Sequence, residues 1–166
     1  MNCKHIDFRY KILVSIILFF FISSNLITKE NLSGYFFAEP STQNIQDDDF
    51  INPGFIWVER GKKIWQFVYE NEKPVSCNSC HGSITKMKGV SLNYPKLYNN
   101  TGKLINLEQQ INICRKNQMN LEEYKPENKD LLSLSVAITN QSRGLEQDIK
   151  INEHNQLWFN LGKELY

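Results

Sequence analysis

Two thiols and an imidazole stand within five residues at Cys77-Asn78-Ser79-Cys80-His81, and that spacing restricts what the chain can fold around. C-x-x-C-H is the attachment signature of c-type haem: the two thiols add to vinyl groups, and the neighbouring histidine comes to lie under the iron as an axial ligand. Three other chemistries use some of the same residues. A thioredoxin-like redox pair needs C-x-x-C after a strand in a βαβ setting, which this sequence does not show, and has no use for His81. A zinc site drawn from Cys77, Cys80, His81 and Cys114 has suitable ligand types, but adjacent side chains such as Cys80 and His81 rarely converge on one tetrahedral ion. A plain Cys77–Cys80 disulfide, or that zinc site, in a haem-free interaction module is the alternative from another functional class.

The N-terminus points to export, which favours the haem reading. Lys4, Arg9 and Lys11 precede the apolar run Ile12 to Ile22, followed by Ser23, Ser24 and Asn25, the layout of a secretory signal. The run is shorter than the roughly 20 apolar residues of a comfortable bilayer span. Residues 1–38 are therefore read as a signal peptide or N-terminal anchor that directs the chain to a bacterial periplasm, with cleavage after Ser24 or Ala38. Past residue 38 there are 15 Lys and Arg against 16 Asp and Glu. Near-neutral charge without a basic cluster argues against nucleic acid as a partner. Of the 4 cysteines, Cys3 lies in the leader, leaving Cys77, Cys80 and Cys114. An odd number in an exported chain strands one thiol if the others simply pair.

Residues 39–54, with Asp47-Asp48-Asp49 and the turn Asn52-Pro53-Gly54, read as a flexible solvated lead-in. Residues 55–145 follow as one domain. From Trp57 to about Tyr69, Trp57, Ile64, Trp65 and Val68 fall at helical spacing, and Gly61 on the same face lets another helix come close. Pro74 ends this element. Residues 82–103 read as a loop with turns at Lys88-Gly89 and Asn99 to Gly102. Asn106 caps the next helix, with Gln109 completing a capping box, and the apolar face is Leu104, Leu107, Ile111 and Cys114. A third helix begins near Pro126, runs through Leu131, Leu134 and Ile138, and ends with Gly144 at the C′ position. No strand pattern of any length competes, so the expected fold is a small, mainly α domain of three helices joined by long loops.

An iron held by His81 has a second axial position. Met87 is too close in sequence to reach the opposite face easily, and His154 belongs to the C-terminal segment. Cys114 and Met119 remain. Cys114 faces inward with Leu107 and Ile111, and Met119 lies beyond that stripe. A single inward cysteine is as readily an inert buried thiol, so helical spacing leaves the ligand open. Arg115 and Arg143 are candidates to meet haem propionates or an anionic substrate, although such arginines are more often solvated. Trp57, Trp65 and Tyr94 are candidates to line the haem crevice.

One pattern repeats. Trp57-x-x-x-Gly61-Lys62-x-x-Trp65 recurs as Trp158-x-x-x-Gly162-Lys163-x-x-Tyr166, as expected of a duplicated domain, the alternative being a chance match in a short helical pattern. Residues 146–166 are accordingly read as a linker and the start of a truncated second domain.

The run CNSCHG, Asn93-Tyr94-Pro95-Lys96, the stretch Gly102 to Gln109 (GKLINLEQ), Ile111 to Arg115 (INICR) and Asn140 to Gly144 (NQSRG) resemble SoxA, the c-type cytochrome subunit of the SoxAX complex in bacterial sulfur oxidation. The resemblance covers roughly Asn52 to Tyr166 and implies a cytochrome c-like domain with long haem-wrapping loops. It implies one covalent haem c attached through Cys77 and Cys80, with His81 and Cys114 as axial iron ligands. A thiolate ligand is electron-donating and lowers the reduction potential relative to methionine. It further implies a periplasmic role in electron transfer, a SoxX-type cytochrome partner, a SoxYZ-type carrier protein, and thiosulfate conjugated to a carrier cysteine by the complex. In that family the catalytic haem belongs to a C-terminal domain, so no catalytic residue is assigned here, and the chain is expected to be a fragment, a frameshifted product or half of a split subunit.

Overall fold

The computed structural model describes residues 33–70 and 74–166. The proposed signal run lies outside the described residues. No helix among the described residues is long and apolar enough to cross a membrane. The chain divides into two compact units, residues 1–44 and 45–166. In the first, a 3-10 turn at Gly34–Phe37 is anchored by Gln43, whose side-chain amide donates to the carbonyls of Tyr35 and Ala38.

The lead-in is not all irregular. Helix α1, Pro40–Asp47, opens on a proline, whose fixed φ suits a first turn. It buries no residue.

Helix α2 spans Phe55–Gln66 and buries Val58, Gly61 and Trp65, at steps of three and four. It is shorter than its periodicity predicts. Phe67 is already extended, and Tyr69 pairs with Val75 in an isolated antiparallel bridge, because the aromatic and β-branched Phe67-Val68-Tyr69 suits extended backbone. Val68 is consequently exposed rather than core, and Trp57, within the helix, is exposed as well.

Helix α3 is the short segment Cys77–His81. After it come 3-10 turns at Ile84–Met87 and Ser91–Asn93. A two-stranded hairpin then interrupts the expected loop: β1, Lys96–Leu97, pairs antiparallel with β2, Leu104–Ile105, in the register Lys96 to Ile105 and Leu97 to Leu104. Leu104 therefore belongs to a strand, not to the following helix.

That helix, α4, is Leu107–Met119. Its capping box forms as expected: Asn106 Oδ1 accepts from the Gln109 amide at 2.8 Å, and Gln109 Oε1 accepts from the Asn106 amide at 2.8 Å. Asn120 closes it in the left-handed region, with φ 51°.

Helix α5 is Lys129–Asn140 and starts three residues later than Pro126 suggests. Glu127 has φ 62°, which no helix can pass, and Asn128 caps the helix by accepting from the amides of Asp130 and Leu131. Gly144, with φ 78°, ends a turn over residues 141–144 beyond the helix rather than sitting at C′. Helix α6, Gln156–Leu165, realises the second Trp-x-x-x-Gly-Lys pattern. Its Trp158 indole donates to the Gly102 carbonyl at 3.0 Å, and a Cβ on Gly162 would meet nothing.

The core lies where α2 crosses α5. Trp65, Leu134 and Ile138 are buried together, and Ile64, Ile84, Met87, Leu107 and Ile111 pack against them. The crossing is close because Gly61 carries no side chain: an added Cβ would lie 2.0 Å from the Ser133 carbonyl oxygen and 2.6 Å from the Ala137 Cβ. The domain is thus mainly α, as the sequence predicts.

Candidate functional site

The cysteine motif is shaped by its own caps. Ser76 Oγ accepts from the Ser79 amide at 3.0 Å and Ser79 Oγ accepts from the Ser76 amide at 3.1 Å, so the chain turns into α3 at Cys77. Gly82, at φ 69°, stops it after His81. In a helix, positions four apart share a face. Cys77 and His81 are so related, and both line one cavity of about 260 Å³. Cys80 is exposed and does not line it.

The cavity floor is apolar, made by Trp65 from α2, Met87 and Val90, Leu107 and Ile111 from α4, and Leu134 and Ile138 from α5. Trp65 also fixes the end of the motif. Its indole N–H donates to the Gly82 carbonyl at 2.9 Å, and its ring lies 5.6 Å from the His81 ring. From α4, Cys114, Arg115 and Met119 reach the same cavity.

Burial governs the thiols. It pushes the Cys77 thiol up to about 11, with a further rise from Cys114 and an opposing pull from Arg115. Cys114 is also raised, by burial first and then by Cys80. Both thiols hold their protons near neutral pH. As an iron ligand, Cys114 would instead release its proton, as metal-bound thiols do.

The structure brings Cys77, His81 and Cys114 together and leaves Cys80 beside them on the same short helix. Cys77, Cys80 and Cys114 are unbridged. Among the described residues no three His, Cys, Asp or Glu side chains gather as a metal cluster, so the zinc set is not assembled. An apolar cavity with an imidazole and a thiol at its wall, and two thiols on one turn of helix, fits a haem.

Other expectations shift. Met119 is buried at this cavity rather than lying beyond the stripe. Met87 lines it as well, whereas His154 lines a separate surface groove. Tyr94 and Trp65 line the crevice, but Trp57 does not. Arg143 is an exposed arginine that bonds Asp49 and the Gln46 carbonyl. Arg115 is buried, at 8% exposure, and the arrangement around it had no sequence signal beyond its place next to Cys114. That arrangement comes from the loop after α4, where Asn112 donates to the Tyr124 carbonyl and accepts from the Tyr124 amide, both at 2.9 Å.

Comparison with known proteins gives a consistent set of likenesses. Residues 60–146, just over half of the chain, match the family model of the SoxA/TsdA cytochrome c domain. The chain is 40% identical over 139 residues to the L-cysteine S-thiosulfotransferase subunit SoxA of Pseudaminobacter salicylatoxidans, covering 82% of this chain and 48% of the relative. It is 35% identical over 134 residues to the subunit of the same name from Paracoccus pantotrophus, covering 81% and 46%. The crystal structure of SoxXA from P. pantotrophus superimposes with a TM-score of 0.73 at 32% identity, over 81% of this chain and 50% of that one. The chain spans about half the length of the curated relatives it matches.

Proposed function

Given that the chain belongs to the SoxA/TsdA cytochrome c domain family, we propose that it carries one covalent haem c and transfers electrons in thiosulfate oxidation. Cys77 and Cys80 would attach it, and His81 and Cys114 would ligate its iron. When bound, the haem supplies a centre that takes up and gives back single electrons. The protein supplies the rest. The Trp65 indole, bonded to the Gly82 carbonyl, holds the end of α3 and with it the imidazole of His81. The apolar side chains of α2, α4 and α5 keep water from the ring faces, and Cys114 gives up its proton as it ligates.

One observation carries this reading: Cys77 and His81 on α3, and Cys114 on α4 at 33 residues beyond His81, line a single apolar cavity. The wider role we propose extends the sequence resemblance and the N-terminal export layout, beside relatives named as thiosulfotransferase subunits and a solved SoxXA. In the periplasm the chain works as a SoxA-type subunit beside a SoxX-type cytochrome, and the assembly conjugates thiosulfate to a cysteine of a SoxYZ-type carrier. The test is the intact mass and pyridine haemochrome spectrum of the exported protein. One covalent haem is expected. A bound zinc, or loss of only the two hydrogens of a disulfide, overturns the reading in favour of a haem-free module.

A further inference from the structure

Arg115 is the buried cation of this cavity, and it is held in an unusual way. Its guanidinium carbon lies 3.7 Å from the centre of the Tyr124 ring and 5.1 Å from that of Tyr69. The two phenols are joined to each other by a hydrogen bond of 2.9 Å. Arg115 Nε donates to the Glu122 carbonyl at 3.2 Å. Among the described residues no carboxylate pairs with it, in contrast to Arg60 with Asp130 and Arg143 with Asp49, which are exposed pairs. The other cation at the cavity wall, Lys96, is exposed.

A charge taken out of water without a counterion is costly, and a chain usually avoids it. Stacking on two rings offsets part of that cost and fixes the fork in place, which suits arginine better than lysine. What remains is a fixed positive charge facing the cavity with little solvent to screen it. The Cys77 thiol already feels that charge, which pulls against the upward push of burial.

On the reading of the cavity as a haem site, on which this rests, we infer that Arg115 sets the haem reduction potential, raising it through a positive charge held against the rings of Tyr124 and Tyr69. Reduction adds one negative charge to the site, and a fixed cation nearby favours the reduced form. Arg115 touches no reacting atom. It acts through the field it imposes, and the tyrosine clamp keeps that field from being dissipated into water.

The test is spectroelectrochemical titration of the haem-loaded wild type, Arg115→Gln and Arg115→Lys at two ionic strengths. The glutamine variant should load haem with an unchanged ligand spectrum and a potential shifted downward, while lysine recovers much of the loss. The wild-type potential should be nearly flat with salt, and that of the lysine variant salt-sensitive, because an ammonium is not held on the rings. A haem-loaded glutamine variant with the wild-type potential overturns the inference and leaves Arg115 a packing residue. If the glutamine variant does not load haem, the salt series decides. A flat wild type beside a sensitive lysine variant supports the inference, and equal responses in both overturn it. A wild type lacking covalent haem would instead sink the haem reading itself.

Discussion

Gly61 and Ser133 meet so closely that a single methyl group on the glycine would lie 2.0 Å from the serine carbonyl oxygen. Neither partner can yield cheaply, since that oxygen belongs to the backbone of α5 and Ala137 blocks the next position at 2.6 Å. Gly61→Ala gains about 0.5–1 kcal/mol of helix propensity but must push α2 and α5 apart, at a typical overpacking cost of about 1–3 kcal/mol. The steric term should win. Urea denaturation of the haem-loaded variant should show a lower midpoint than wild type, and an equal or higher midpoint would mean that the two helices can part at little cost.

The capping box of α4 offers a cleaner measurement, because Asn106 is exposed and touches no part of the cavity. Asn106→Ala removes the acceptor for the Gln109 amide and leaves Gln109 Oε1 as a lone cap. A loss of about 1 kcal/mol is expected, with the haem spectrum unchanged. A loss of spectrum would place the start of α4 in the site rather than beside it.

What the sequence disclosed and what it hid divide along one physical line. Interactions between residues three or four apart were readable: the Asn106 and Gln109 box and the Gly61 face. Features settled by distant segments were not. The β1 and β2 strands are two residues each, too short for any alternation to register. Met119 is buried because the chain after α4 folds back, with the Leu121 amide on the Arg115 carbonyl and Tyr124 over the Arg115 side chain, and helical spacing alone cannot foresee that return. Pro126 carries the composition of a helix start, yet the left-handed Glu127 hands that role to Asn128. The choice of Cys114 among the sulfur atoms came from resemblance, since Met87, Cys114 and Met119 all reach the cavity.

The thiols of the haem-free chain should separate by reactivity. Moving the Cys77 thiol from 9.0 to about 11 leaves it with about a hundredfold less thiolate near pH 8, and Cys80 is the exposed one. An alkylating reagent followed by peptide mass mapping should label Cys80 well before Cys77. The same shift has a sign for stability. The folded state keeps the proton that the unfolded state releases, so the contribution is fully present below pH 9 and declines between pH 9 and about 11. Cys77→Ser should flatten that part of the alkaline unfolding curve, and rapid labelling of Cys77 at pH 8 would contradict the burial on which both outcomes depend.

The identity of the second axial ligand can be settled by two substitutions. Both Cys114 and Met119 line the cavity, but Met119 is 4% exposed and lies at the end of α4 beside Asn120, whereas Cys114 is half-buried on the stretch that also carries Leu107 and Ile111. With Cys114 as ligand, Cys114→Met should change the low-spin spectrum from a thiolate to a thioether type and raise the potential, since the electron-donating sulfur anion is lost. Met119→Leu, a nearly volume-conserving change, should then cost under about 1.5 kcal/mol and leave the spectrum as it was. The reverse pattern, a spectrum indifferent to Cys114 and altered at Met119, would reassign the ligand to the thioether and make Cys114 a buried thiol of the wall.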